Sequence, residues 1–128
     1  MTTQATTETK GYDQGHTELI ASLLQDPNLR NLYFDISWDE VAKYAVSSPQ
    51  IEAKVAALFN RYPDRFLFGT DNVAPSDQKA DLRPFYLWTP VFARLTPQTS
   101  LAIRRKNYER LFDAARTRVR AWEKIHLK

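Results

Sequence analysis

Only two runs in this sequence carry the signature of β-strands, and helical stretches separate them. That arrangement restricts the available folds more than any other feature. In RNLYFDIS, Leu32, Phe34 and Ile36 alternate with Tyr33, Asp35 and Ser37, the period of two that puts successive side chains on opposite faces of a sheet. DRFLFGTD is a short, nearly continuous apolar run, as expected of a strand covered on both faces. Strands at about 31–37 and 65–70, joined by a helical crossover, normally lie parallel in a right-handed unit. A two-stranded parallel sheet leaves unpaired edges on both sides, and exposed edges invite pairing with more chain. The expected class is therefore α/β, with two parallel strands, several helices and the look of the end of a larger array.

The helices follow from period and punctuation. TELIASLLQDP sets Leu19, Ile20, Leu23 and Leu24 on one stripe, with Thr17 as N-cap and Pro27 as stop. Ser37-Trp38-Asp39-Glu40 reads as a capping box for a short helix through about Tyr44. Ser48-Pro49 opens another helix carrying Ile51, Val55, Leu58 and Phe59, which ends before Pro63. DQKADLRPFYLWTPVFARL is expected to be helical but broken by Pro84 and Pro90. Thr96-Pro97 starts the longest helix, whose apolar stripe is Leu101, Tyr108, Leu111, Phe112, Ala115, Val119 and Trp122. Residues 1–16 are polar and threonine-rich and read as a disordered or non-native lead-in; order is expected from 17 to 128.

Composition narrows the function classes. A chain of 128 residues, 43% apolar and 26% charged, suits one domain and no more. It has no cysteine, which removes disulfide frameworks and thiolate chemistry and fits a reducing compartment. No apolar run approaches the ~20 residues of a membrane span, and no signal-peptide core is evident. A cytoplasmic protein with no membrane partner is the expectation. Between Thr96 and Lys128 nine Lys/Arg face three acids, which is either the solvated side of an amphipathic helix or a surface for phosphates or an acidic partner.

Chemistry concentrates at one place. In parallel α/β proteins ligands bind outside the carboxyl ends of the strands, and Asp71 stands at such an end, after Gly69-Thr70. The glycine removes side-chain bulk, so that a ligand or metal is able to approach the backbone. A carboxylate there is able to ligate a divalent cation or accept a proton from a water; the plain alternative is that Asp71 caps its own turn. Asp35, if its face is an interior one, is a buried carboxylate that needs a partner. Ser37 suits a helix cap better than a nucleophile, because no histidine neighbours it in sequence. His16 and His126 lie in no metal-ligand spacing. A hydrolytic metal site needs three or four protein ligands, of which the sequence nominates one. The aromatic cluster Phe85, Tyr86, Trp88 and Phe92 reads as packing rather than a base-stacking platform.

NLYFDIS, DRFLFGTDNVAP and IRRKNYERLF, in this order and separation, resemble the last part of the metal-dependent amidohydrolase-related family. The resemblance spans roughly Thr17 to Lys124, well under half of a ~250-residue barrel. It implies an incomplete (β/α)₈ barrel segment in which DRFLFGTD is the eighth strand. It implies Asp71 as a metal ligand or general base, and structural roles for Asn107, Leu111 and Phe112 in the closing helix. Asp35 and Ser37 match a seventh-strand position with no assigned chemistry. The family's His-x-His and middle-strand histidines have no counterpart in this sequence.

The expectation is then a segment of a hydrolase, with hydrolysis or decarboxylation of a small molecule in the intact family and a divalent metal, zinc foremost, as its cofactor. This chain is expected to bind no metal tightly and to be catalytically incomplete. Self-association through open sheet edges and apolar helix faces is a further expectation. The alternative is a non-catalytic interaction module whose basic C-terminal helix binds nucleic acid or an acidic partner, of which nucleic acid is the less expected.

Overall fold

The structure is a computed structural model, and it describes residues 15–127. The expectation for the lead-in falls outside these residues except at its last two positions. The chain divides into two compact units, one up to Leu32 and one from Tyr33 onward.

In the first unit, helix α1 spans His16–Gln25 and a 3₁₀ turn spans Pro27–Leu29. Gly15, not Thr17, occupies the N-cap position; the Thr17 hydroxyl instead donates to the Glu18 carboxylate at 2.9 Å. Asp26 ends α1 and its side chain accepts from the Asn28 N–H at 2.8 Å. That bond begins the turn in which Pro27, lacking an N–H, is tolerated.

The second unit begins with β1 (Phe34–Asp35), followed by α2 (Asp39–Ala45), α3 (Pro49–Arg61) and β2 (Phe66–Leu67). The two strands are parallel, with Phe34 opposite Phe66 and Asp35 opposite Leu67, and form an open two-stranded sheet. Regular ladder covers fewer residues than the sequence suggests, for a reason visible in the hydrogen bonds. Phe34 N–H donates to the Arg65 carbonyl and Ile36 N–H to Leu67, each at 2.9 Å. Continued in register, Trp38 N–H would meet Gly69; it meets the Thr70 carbonyl at 3.1 Å instead. One extra residue on the second strand ends the regular pairing, in the manner of a β-bulge.

The remaining elements are α4 (Gln78–Leu87), α5 (Thr89–Phe92) and a continuous helix over 97–126. This last helix runs as α6 (Pro97–Leu101), two π-helical segments (Ala102–Lys106 and Glu109–Asp113) and α7 (Ala114–His126). Caps match the sequence where the spacing demanded them. Ser48 Oγ accepts from Ile51 N–H at 3.2 Å and Thr96 Oγ1 from Thr99 N–H at 3.1 Å. The Ser37–Glu40 capping box does not form: Ser37 N–H is held by the Asp35 carboxylate at 2.9 Å and Trp38 takes the N-cap position with φ 78°. Glu40 turns to Lys43 instead.

Pro84 does not break its helix. It is buried inside α4, and the break falls between Leu87 and Thr89 next to Pro90. Helix residue 84 would normally donate to the Ala80 carbonyl, and proline cannot. The Asn72 side-chain amide takes over, donating to the Ala80 and Asp81 carbonyls, each at 3.0 Å.

The core of this unit is aromatic. Phe59 and Phe66 lie 4.5 Å apart between ring centroids, and Phe68 meets Phe85 and Phe92 edge-on at 5.0 Å. Trp88, 1% exposed, joins the Phe59 and Phe92 rings. Of the predicted aromatic cluster Trp88 and Phe92 are buried, while Phe85 is partly and Tyr86 largely in solvent. Such pairs add ~0.5–1.5 kcal/mol each beyond the area they bury.

The long helix presents a different face from the expected one. Its buried row is Thr99, Ile103 and Asn107, while Leu101, Tyr108, Phe112, Val119 and Trp122 are about half exposed. Up to Asn107 the π bonding, with more residues per turn than an α-helix, keeps residues four apart in line; beyond it no residue of the helix is buried, so the apolar stripe there has nothing packed on it among the described residues. Asn107 donates through Nδ2 to the Pro63 and Phe66 carbonyls at 2.8 and 2.9 Å, tying the helix to β2. The Ile103 carbonyl accepts Phe68 N–H at 3.2 Å, so one edge of β2 meets a helix where an unpaired edge was expected.

Candidate functional site

The carboxyl ends of β1 and β2 carry the local geometry that a site requires. The one-residue slip brings the strand ends together at Gly69, where a Cβ would meet the Ser37 Cβ at 3.4 Å, an ordinary van der Waals contact, so the neighbouring strand does not by itself demand a glycine. Both chains leave the contact in a left-handed conformation, Trp38 at φ 78° and Asp71 at φ 50°. Aspartate tolerates this region; tryptophan reaches it only when the surrounding structure enforces it.

Asp71, Trp38, Asp39, Asn72, Val73 and Arg83 line one open cleft of about 340 Å³, floored by Ala80 and Pro84. Each wall has a cause. Trp38 and Asp39 come from the turn between β1 and α2, Asp71 to Val73 from the loop after β2, and Arg83 from α4. Asn72 locks that loop onto α4 through the carbonyl Pro84 leaves without its usual donor. Asp77 caps α4, accepting Ala80 N–H at 2.8 Å, and fixes the far end of the loop. The cleft is thus held by paired backbone groups rather than by a flexible arm.

Its electrostatics are mixed. Asp39 accepts from Lys43 Nζ at 2.9 Å. That hydrogen bond, helped by the charges of Lys43 and Arg83, holds its carboxyl below the ordinary 3.8. Arg83 is exposed and, among the described residues, makes no ion pair within 4.0 Å. An unpaired guanidinium, two carboxylates and the exposed Trp38 ring together suit a small polar ligand: a cation for the carboxylate side, an anionic oxygen for Arg83, a flat face for the indole.

The other sequence candidates lie elsewhere. Asp35 is exposed and occupied by Ser37 N–H, so it is not the buried carboxylate in search of a partner. Ser37 packs against Gly69 and caps nothing. His16 belongs to the first unit, and the His126 ring stacks on Trp122 at 4.4 Å between centroids. Among the described residues no group of three or more His, Cys, Asp or Glu side chains is placed to hold a metal ion. Trp38, Asp39 and Arg83 went unread as cleft residues because Ser37–Glu40 reads as a capping box and 77–95 as a broken helix.

Among the described residues no helix is long and apolar enough to cross a membrane. No family model, curated protein or solved structure matches this chain.

Proposed function

We propose that this chain represents C-terminal βα units of an amidohydrolase-like (β/α)₈ barrel, with β1 and β2 as its last two strands. In this reading Asp71 is the carboxylate delivered to the mouth of the site. The observation that carries it is the position of Asp71: directly after a parallel strand, at its carboxyl end, in a cleft shared with Asp39, Arg83 and Trp38. That is where parallel α/β enzymes place their reacting groups. Asn107 supports it from the other side: the resemblance implies a structural role for it in the closing helix, and its amide ties that helix to the Pro63 and Phe66 carbonyls.

Within this chain Asp71 acts as a proton acceptor for a water or hydroxyl placed in the cleft. Arg83 steadies an anionic oxygen of a small substrate, and the Trp38 ring covers an apolar part. Hydrolysis of a small amide or ester is the reaction class; were a divalent metal bound, Asp71 would be one of its ligands and the metal would supply Lewis acidity toward the substrate carbonyl.

Two measurements test this. The 128-residue chain is expected to hold no stoichiometric zinc by elemental analysis and to show no metal-dependent esterase or amidase turnover. Stoichiometric zinc lost in Asp71→Ala refutes the claim of incompleteness. The coding sequence immediately upstream is expected to encode His-x-His and further histidines on strand-like runs; an upstream region without them refutes the barrel.

A further inference from the structure

The charges on α7 are arranged around an apolar stripe that the rest of the chain leaves bare. No residue of α7 is buried, and Val119, Trp122 and Ile125 are 52%, 54% and 70% exposed. α7 is regular α-helix over all its 13 residues, so positions on it can be read at about 100° per residue. Ala115, Val119, Trp122 and His126 then share one stripe. Arg118, with Ile125 beside it, borders the stripe on one side, and Arg116 borders it on the other. The row Arg116, Arg120 and Lys124 continues round the polar side.

The sign of the partner follows from the ion pairs. Glu123 is the one acid between positions 114 and 126, and Arg120 already holds it at 2.6 Å. Arg116, Arg118 and Lys124 make no ion pair within 4.0 Å among the described residues. Like charges four residues apart weaken a helix, and a short helix that buries nothing is marginal to begin with. A surface that is anionic above the stripe's two edges and apolar beneath its centre relieves both.

A layer of anionic lipid has that chemistry. Nucleic acid answers the cations but offers no apolar layer to Val119, Trp122 and Ile125. A second copy presents the same cations, with its acid already taken by Arg120. A groove in an acidic protein needs carboxylates on both walls, and a guanidinium buried there without one is strongly disfavoured. Lipid supplies phosphates on every side at one level with acyl chains below. Arginines beside the stripe reach up to the phosphates while their stems lie along it, and an indole suits the boundary itself. Strong amphipathicity, a basic polar side and a tryptophan opposite are the marks of helices that lie in a membrane interface.

We propose that α7 lies along the surface of an anionic membrane, with Val119, Trp122 and Ile125 in the headgroup layer and Arg116 and Arg118 on lipid phosphates at the two flanks. Such a contact needs no spanning helix, and it departs from the expectation of no membrane partner. It does not depend on the role given to Asp71, since the stripe and the cleft share no residue.

The experiment is co-sedimentation of the full chain with phosphatidylcholine vesicles, pure or containing about one-third phosphatidylglycerol. Binding is expected to the mixed vesicles and not to the pure ones, and to weaken as salt is raised. Trp122→Ala weakens it about tenfold, and Arg116→Ala and Arg118→Ala about fivefold each. Lys79→Ala removes the same charge from an exposed position on α4 and changes it by less than about twofold. All four positions are exposed, so the circular dichroism of the body is retained. Acyl-chain brominated lipid quenches the protein's fluorescence, and Trp122→Phe removes that quenching. No preference for phosphatidylglycerol refutes the proposal. Binding indifferent to Trp122→Ala, or lowered as much by Lys79→Ala as by Arg118→Ala, reduces the effect to adsorption of a basic protein and refutes it too. Duplex DNA bound in preference to the vesicles, or a dimer that Trp122→Ala dissociates, assigns the face elsewhere and overturns the proposal. Asp71→Ala leaves vesicle binding unchanged, which separates this result from the fate of the hydrolase reading.

Discussion

The bond between Asn72 and α4 offers a sharp quantitative test of how this cleft is built. Replacing Asn72 by alanine removes two hydrogen bonds of 3.0 Å, to the Ala80 and Asp81 carbonyls. A net ~0.5–1.5 kcal/mol attaches to each such bond, and Asn72 is exposed, so the lower half of the range applies. Asn72→Ala is expected to cost about 1.5 kcal/mol. Pro84→Ala restores an N–H to position 84 and with it the regular donor for the Ala80 carbonyl. In that background only the bond to Asp81 is lost, and Asn72→Ala is expected to cost about 0.7 kcal/mol. The coupling of about 0.8 kcal/mol is the signal; the packing and unfolded-state effects of removing proline cancel from the cycle. Urea midpoints of the four proteins at constant slope measure it. Additive effects, within ~0.3 kcal/mol, refute the claim that Asn72 stands in for the missing proline N–H.

Three further outcomes are expected. Asn107→Leu leaves the Pro63 and Phe66 carbonyls without their side-chain donor and should cost about 2–4 kcal/mol in urea unfolding. Asp71→Asn should leave stability within ~0.5 kcal/mol, whereas Asp71→Val, forced into φ 50°, should lose about 1–2 kcal/mol more than Asn. The pH profile follows from surface pairs. The hydrogen bond from Lys43 holds Asp39 below 3.8, and those from Lys106 and Arg105 hold Glu109 below 4.5. Depressed carboxyls contribute stability above their ordinary values and lose it as pH falls through the lowered ones. Lys43, raised above 10.5 by Glu40 and Asp39, contributes below that value and loses it as pH rises beyond. At low salt the urea midpoint should therefore be flat at neutral pH, fall in acid below about pH 4.5, and flatten on the acid side in Asp39→Asn.

What the sequence revealed depended on whether local chemistry or tertiary contact set the structure. Ser48-Pro49 and Thr96-Pro97 acted as starts because cap and proline effects are local. The alternation around Phe34 and the apolar run at Phe66 located both strands and their parallel sense. Their lengths were overestimated, because the slip at Gly69 is decided by how two distant segments meet. The Ser37–Glu40 pattern misled for the same reason: Ser37 is held against Gly69, out of capping position. Asp71 was legible as a strand-end carboxylate. Arg83 was not, since its place in the cleft with Asp71 depends on how α4 meets the loop after β2, where Asn72 joins the two. The apolar stripe of the long helix did not locate the core, because beyond Asn107 the helix buries no residue and amphipathic spacing alone does not say what covers it.

The contact from Phe68 N–H to the Ile103 carbonyl also sets a clock on biosynthesis. Ile103 is synthesised 35 positions after Phe68, which at ~5–20 residues per second is about 2–7 s of elongation. The same lag separates their emergence from the ribosome, and until Ile103 follows, the Phe66-Leu67-Phe68 run has its outer edge bare, the kind of segment that templates pairing between neighbouring nascent chains. Slowed elongation between the two positions lengthens the interval and should send more of the product into aggregates. A chain ending before Ile103 never closes that edge at all.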